Sequence, residues 1–318
     1  MSEGRRLLLF EWVMLAYTVF TLLLMAVLWR RLVDPASMLW LRAVAVALTL
    51  SLWQLSRRVV SGHRQWGPPL VMLRVAVQLL LLSWWYPDTY EFNRLFPCLD
   101  HLFAQWEQTL FGCQPALLFS QQLPSLWVSE PLCLGYVSYY PMIAAVTFFF
   151  FFCRYPRFTY AAFVILGSFF LFYVVFIFLP VAGPQFYYEA VGTGQIAQGI
   201  FPDLGHYFLD HQQSLPIPGS DGLFHYLVQD AHDAGERPTA AFPSSHVGIS
   251  VVLLWLAWES RSRRLFFVLL PLTVLMFFAT FYIQAHYVID AVAGIFVGTA
   301  FYFLLSRVYQ KASSHWPV

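Results

Sequence analysis

Long apolar stretches recur along this chain, near 7–29, 36–55, 69–86, 133–153, 159–182, 243–258, 265–283 and 287–306. Each approaches the length that a helix needs to cross a bilayer, about 20 residues. They must be helices, because a backbone in lipid has to satisfy its hydrogen bonds within its own segment. The pattern predicts an all-α, multi-pass transmembrane bundle of about eight spans.

Two long polar segments interrupt it, 87–132 and 183–242. Within the first, Asp100 to Phe111 reads as an amphipathic helix lying in the membrane interface. Gly112 and Pro115 break it, and a second short interfacial piece is expected around 117–127. Such helices act either as a lid of aromatics or as a shelf that shapes lipid access. The second segment carries Gly, Pro, acids and four histidines, His206, His211, His225 and His232. Their spacing matches no standard zinc pattern, so no metal is expected. A loop of this length is usually functional, and a share in a head-group pocket is expected of it.

The composition agrees with a membrane protein. The 318 residues are 59% hydrophobic and 11% charged, more apolar surface than a soluble domain can hide. The net charge is +1, and no basic run invites nucleic acid. Arg5 and Arg6 precede the first stretch as in a signal peptide. That stretch is too long for a cleavable core, and Arg30-Arg31 follows in place of a small-residue cleavage site, so it reads as an uncleaved span.

Charge then sets the expected orientation. Alternate connections hold Arg5, Arg6, Arg57, Arg58, Arg64, Arg154, Arg157, Arg261, Arg263, Arg264, Arg307 and Lys311. The other set holds Arg30, Arg31, Arg94 and Arg237 with most of the acids. Basic loops stay in the cytoplasm, so both termini are expected there, with the two long segments on the periplasmic, lumenal or outer face. Cys98 and Cys113 share that face, where a disulfide and two free thiols are both compatible with the spacing.

The candidate chemistry sits where two spans begin. His246 opens the sixth span within Phe242-Pro243-Ser244-Ser245-His246, and His286-Tyr287-Val288-Ile289-Asp290 follows 40 positions later at the eighth. One hydrophobic hairpin between them returns His286 to the face where His246 began. His286 and Asp290 share a helical face, so the carboxylate can orient the imidazole as a nucleophile. His246 suits protonation of a leaving oxygen. Ser244 and Ser245 suit capping and phosphate contact, the two helix N-termini suit an anion, and Arg237 is a basic residue close before the motif. Arg42, Arg74 and Glu11 fall inside spans, where they pair or snorkel.

At these residues the chain resembles the type 2 phosphatidic acid phosphatase superfamily. Pro243-Ser244-Ser245-His246 is similar to its P-S-G-H element, and His286 with Asp290 to its S-R-x5-H-x3-D element. The resemblance implies a phosphohistidine on His286, oriented by Asp290, with His246 as the acid for the leaving group. It implies a six-helix core over 69–318, with residues 1–68 as an added helix pair. Ser245 stands where the family has glycine, Ala279 and Thr280 where it has serine and arginine, and Asp230 where it has lysine before Arg237-Pro238. The phosphate cradle is therefore incomplete. The His-Tyr-x-x-Asp run, Phe111-Gly112 with Pro115, and the Tyr136, Tyr139, Tyr140 cluster look more like the inositol-phosphotransferase and sphingolipid-synthase branch.

The resulting expectation is a membrane enzyme without metal or cofactor, passing a phospho-head group from a phospholipid to a lipid alcohol. The alternative acceptor is water, which makes a phosphatidate-type phosphatase. Rivals from other classes are a bis-histidine haem protein and an inert lipid-binding scaffold.

Overall fold

Prolines, short polar side chains and left-handed turns punctuate the chain into helices. The structure is a computed structural model that describes residues 6–233 and 236–315, and among these no strand forms. Arg5 of the charge pattern lies outside the described residues. Helix α1 (Leu9–Leu28) leads to α2 (Pro35–Gly62), whose cap is Asp34, accepting the Ser37 N–H at 3.0 Å. Proline suits the first helical position, where its missing N–H would have no partner. Helix α3 (Gly67–Asn93) also opens on proline. Next come α4 (Asp100–Phe111) and α5 (Pro115–Gln122), separated by Gly112 in the left-handed region at φ 69°.

The remaining helices are α6 (Leu126–Val137), α7 (Tyr139–Cys153), α8 (Phe158–Phe178), the short α9 (Pro184–Val191), α10 (Thr193–Ala197) and α11 (Leu223–Asp233), then α12 (Ser245–Glu259), α13 (Arg263–Tyr282) and α14 (Val288–His315). The amphipathic helix expected over 100–111 forms as α4, with the expected bounds. The second interfacial piece is shorter than expected: α5 ends at Gln122, and Trp127 already belongs to α6.

Side-chain contacts give the directions of the helices. Asn93 at the end of α3 donates to the Phe176 carbonyl near the end of α8, at 2.5 Å. Phe20 of α1 meets Phe178 of α8. At the far end, Glu259 closes α12 against Arg157 and Tyr160 of the α8 start and Tyr302 of α14. So α1, α3, α8 and α13 climb to one end, and α2, the α6–α7 pair, α12 and α14 return from it. Arg154, Arg157, Arg261, Arg263 and Arg264 flank the far end.

Among the described residues, six helices are long and apolar enough to span a membrane, and the chain is an all-helical, multi-pass integral membrane protein. The expected eight passes need correction in kind. The fourth is a helix pair, α6 and α7, bent by 45° at Ser138 and starting well before residue 133. The sixth is α12, whose 15 residues make a helix of about 22 Å against a core of about 30 Å. Helix α8, buried along nearly its whole length, is the hub on which α1, α3, α12 and α14 pack.

Candidate active site

Three loop segments meet at the upper end and set the histidines. The Ala241 N–H donates to the Val181 carbonyl at 3.1 Å, and the Gln185 N–H to the Gln284 carbonyl at 2.8 Å. Gly183 sits at φ 98°, and a Cβ there would lie 2.6 Å from the Ala285 carbonyl. Only glycine allows that approach. The three segments thus form the floor under His286.

Helices α12 and α14 then fix the relation between the two histidines. Ser244 caps α12, accepting the Val247 N–H, and its own N–H donates to the Asp290 carbonyl at 3.0 Å. Lower down the two backbones touch: a Cβ on Gly294 would meet the Ser244 carbonyl at 2.6 Å, and one on Gly298 the Gly248 carbonyl at 2.3 Å. Small residues at such spacing let membrane helices approach closely, where van der Waals contact holds them together. His246 and His286 emerge side by side, their ring centroids 5.8 Å apart. Tyr136 and Tyr139, on either side of the α6–α7 break, pack on the His246 ring at 4.7 and 4.5 Å.

The hydrogen bonding of His286 assigns its tautomer. Nδ1 lies 2.7 Å from the Ala241 carbonyl, which only accepts, so Nδ1 carries the proton and Nε2 keeps its lone pair. Asp290 Oδ2 is further off, 3.7 Å from the same Nδ1, and accepts the Tyr287 N–H at 2.8 Å. Burial lowers the His286 pKa to about 4, partly opposed by the Ala241 hydrogen bond. The imidazole is therefore neutral at pH 7.

Helix α4 turns two acids inward. The buried face of α4 comprises Asp100, Phe103, Ala104 and Glu107. Asp100 accepts the N–H groups of Ala182 (2.7 Å) and Gly183 (2.8 Å), the Cys98 thiol (3.0 Å) and the Tyr287 hydroxyl (3.2 Å). Glu107 accepts the Ile289 N–H at 3.2 Å. Burial, reinforced by the nearby Asp290 charge, pushes its carboxyl up to about 8. The N–H groups of Tyr287 and Ile289, expected to face a phosphate, are thus already taken. Cys98 and Cys113 are free thiols.

A small cavity opens beside the two histidines, lined also by Tyr86, Tyr136, Gln185, Glu236, Arg237, Thr239 and Ser245. Glu236 is its acid. Burial works against the carboxylate, but hydrogen bonds from His232 (3.0 Å) and Gln185 (2.6 Å) outweigh it and hold the carboxyl below its ordinary range. The same bond raises His232, whose Nε2 lies 2.7 Å from the Ser214 hydroxyl. Arg237 is exposed, bonds Gln212, and lies with its guanidinium 6.0 Å from the Tyr90 ring. Ala279 and Thr280 are fully buried, and the Thr280 carbonyl accepts the His286 N–H at 3.1 Å.

His246, His286, Asp290, Ser244 and Ser245 therefore come together, with Arg237 on the cavity rim. Sequence reading did not find Glu236, Glu107, Asp100 or the glycine contact. The glycines had a readable signal, Gly294-x-x-x-Gly298 within an apolar run. Among the described residues, no group of three or more His, Cys, Asp or Glu is placed to hold a metal. No curated protein and no solved structure matches the chain. A family model described as PAP2 superfamily does match, over residues 102–304, a stretch holding both histidines, Asp290 and the whole α12–α14 contact, and the chain belongs to that superfamily.

Proposed function

We propose that this chain is a membrane lipid phosphotransferase that works through a phosphohistidine on His286. Superfamily membership supports a lipid-phosphatase type of enzyme at the coarse level. The finer reading rests on one observation: the cavity beside the paired histidines holds the ionised Glu236 and few cations. Thr280 stands where a phosphate-binding arginine would be, and among the described residues lining the cavity Arg237 is the single arginine. Such a site repels a dianionic phosphate monoester more than a singly charged phosphodiester. Gln185, Glu236, Thr239 and Ser245 suit the hydroxyls of a polar head group, such as an inositol ring.

In the first step His286 Nε2 attacks phosphorus. A P–N bond forms as the P–O bond to the diacylglycerol oxygen breaks, and His246, entering this step as the imidazolium, gives that oxygen its proton and is left neutral. In the second step an acceptor alcohol attacks the phosphohistidine. The P–N bond breaks, and His246 takes the alcohol's proton. The Ala241 carbonyl keeps Nδ1 protonated throughout, and Asp290 offsets the positive charge on the phosphorylated ring. Ser244 acts as the cap that positions His246, and Ser245 and Arg237 contact the phosphate. The arginines at the far end support a cytoplasmic placement of that end, with both termini, and an outward-facing site.

The test is a lipid-product assay by mass spectrometry. Purified wild type and His286→Ala meet phosphatidate, phosphatidylinositol, other phospholipids, diacylglycerol and ceramide. A new head-group-bearing lipid, absent with His286→Ala, is the expected result. Free phosphate with diacylglycerol would instead mark a phosphatase. Equal products from both proteins would rule out the phosphohistidine. His246→Ala should slow turnover by about 10²–10⁴-fold.

A further inference from the structure

The end of the bundle away from the histidines carries a groove that the histidine chemistry does not touch. It offers about 1240 Å³ between the end of α12, the start of α13 and the later turns of α14. Its floor is aromatic. Trp255 stacks on Tyr302, centroids 5.7 Å apart and planes within 16°, and its Nε1–H donates to Thr299 at 3.2 Å. Trp258, Phe267 and Phe303 line the same groove and remain 63%, 65% and 45% exposed.

The rim is basic, formed by Arg154, Arg157, Arg261 and Arg263. Glu259 is the acid among the lining residues, and it is already engaged. One oxygen accepts from Arg157 at 2.5 Å, and the other accepts the Tyr160 and Tyr302 hydroxyls, each at 2.8 Å. Arg154, Arg261 and Arg263 have no acidic partner among the described residues. Basic residues at one end of a membrane protein are ordinary. Three uncompensated arginines around one exposed aromatic trough are a more specific arrangement.

We propose that this groove binds one anionic phospholipid, its phosphate on Arg154, Arg261 and Arg263 and an acyl chain along Trp258, Phe267 and Phe303. Charge complementarity selects the occupant. A zwitterionic lipid would bring its own cation against the arginine rim. A soluble anion would leave the indole and phenyl faces bare. Basic pockets between membrane helices suit anionic head groups in this way. The lipid stands apart from the reaction: it touches neither histidine and is not the substrate.

The test is native mass spectrometry of the full chain released from nanodiscs of phosphatidylglycerol and phosphatidylcholine with matched acyl chains. Wild type should retain phosphatidylglycerol in preference, and His286→Ala should retain it equally. Arg154→Gln/Arg261→Gln/Arg263→Gln should weaken retention by about a hundredfold, taking each arginine as about fivefold. Trp258→Ala/Phe267→Ala keeps every charge, and so the membrane orientation. It should also weaken retention while eluting from a sizing column as wild type does. Equal retention of the two lipids, or retention unmoved by both variants, would overturn the proposal. Displacement by glycerol phosphate as effective as by a short-chain phosphatidylglycerol would make the groove a soluble-anion site and overturn it as well.

Discussion

A histidine that attacks phosphorus has to be neutral, and burial keeps His286 neutral well into acid. Its protonated fraction should therefore limit kcat/KM only below about pH 4, not below the ordinary 6.5. A pH profile with an acid limb near 6.5 would contradict that assignment. The same shift acts on stability. The unfolded chain binds the proton between pH 6.5 and about 4, and the folded chain does not. Stability is therefore complete above 6.5 and falls as pH drops through that window, by about 3 kcal/mol. Melting curves over the same range should show the loss. At this scale the two histidines and Asp290 were legible, because their spacing is a pattern in one dimension. The Ala241 carbonyl was not, since every residue has one and only the fold decides which carbonyl faces a ring. Glu107 was hidden for a related reason: on α4 it looked like the wet side of an amphipathic helix, yet it reaches Ile289 in a helix far along the chain.

Among the elements, the crossing of α12 and α14 holds the histidines in register. Gly298→Ala would drive a methyl into the Gly248 carbonyl, which is 2.3 Å from the Cβ position. Overpacking of this kind costs about 1–3 kcal/mol. It should move the histidines apart as well, and a displacement of about 1 Å at a reacting centre lowers turnover about a hundredfold. Thermal unfolding in detergent and the lipid-product assay check both effects. Unchanged values in both would mean that α14 can back away freely. Seven of the eight apolar stretches were legible as single helices because length and apolarity suffice to identify one in lipid. The break at Ser138 was not, although Gly135 and Pro141 stand three residues to either side of it, because the stretch around it is apolar enough to read as one continuous span. It matters at the site because it sets Tyr136 and Tyr139 on the His246 ring.

For the whole molecule, two buried ion pairs tie α1 and α2 to α3, ahead of the region matched by the family. Arg42 grips Asp88 through two hydrogen bonds of 3.0 and 2.6 Å, and Arg74 grips Glu11. The sequence showed these charges inside spans, but pairing them needed the helix neighbours. Asp88→Ala should cost about 3–5 kcal/mol by leaving Arg42 buried and unpaired, and Arg42→Leu/Asp88→Leu should recover most of it. Thermal unfolding of the two variants decides the matter: an equal loss in both would show that the pair, not the orphaned charge, carries the energy. The glycine contact between α12 and α14 has a further consequence for how such a protein can diversify. Where backbone meets backbone, no side chain is available for mutation to reshape. Variation that alters substrate preference is confined to the rim, to α4 and to the 183–242 segment. A lineage built on this frame can rewrite its menu while its reactive hinge stays fixed.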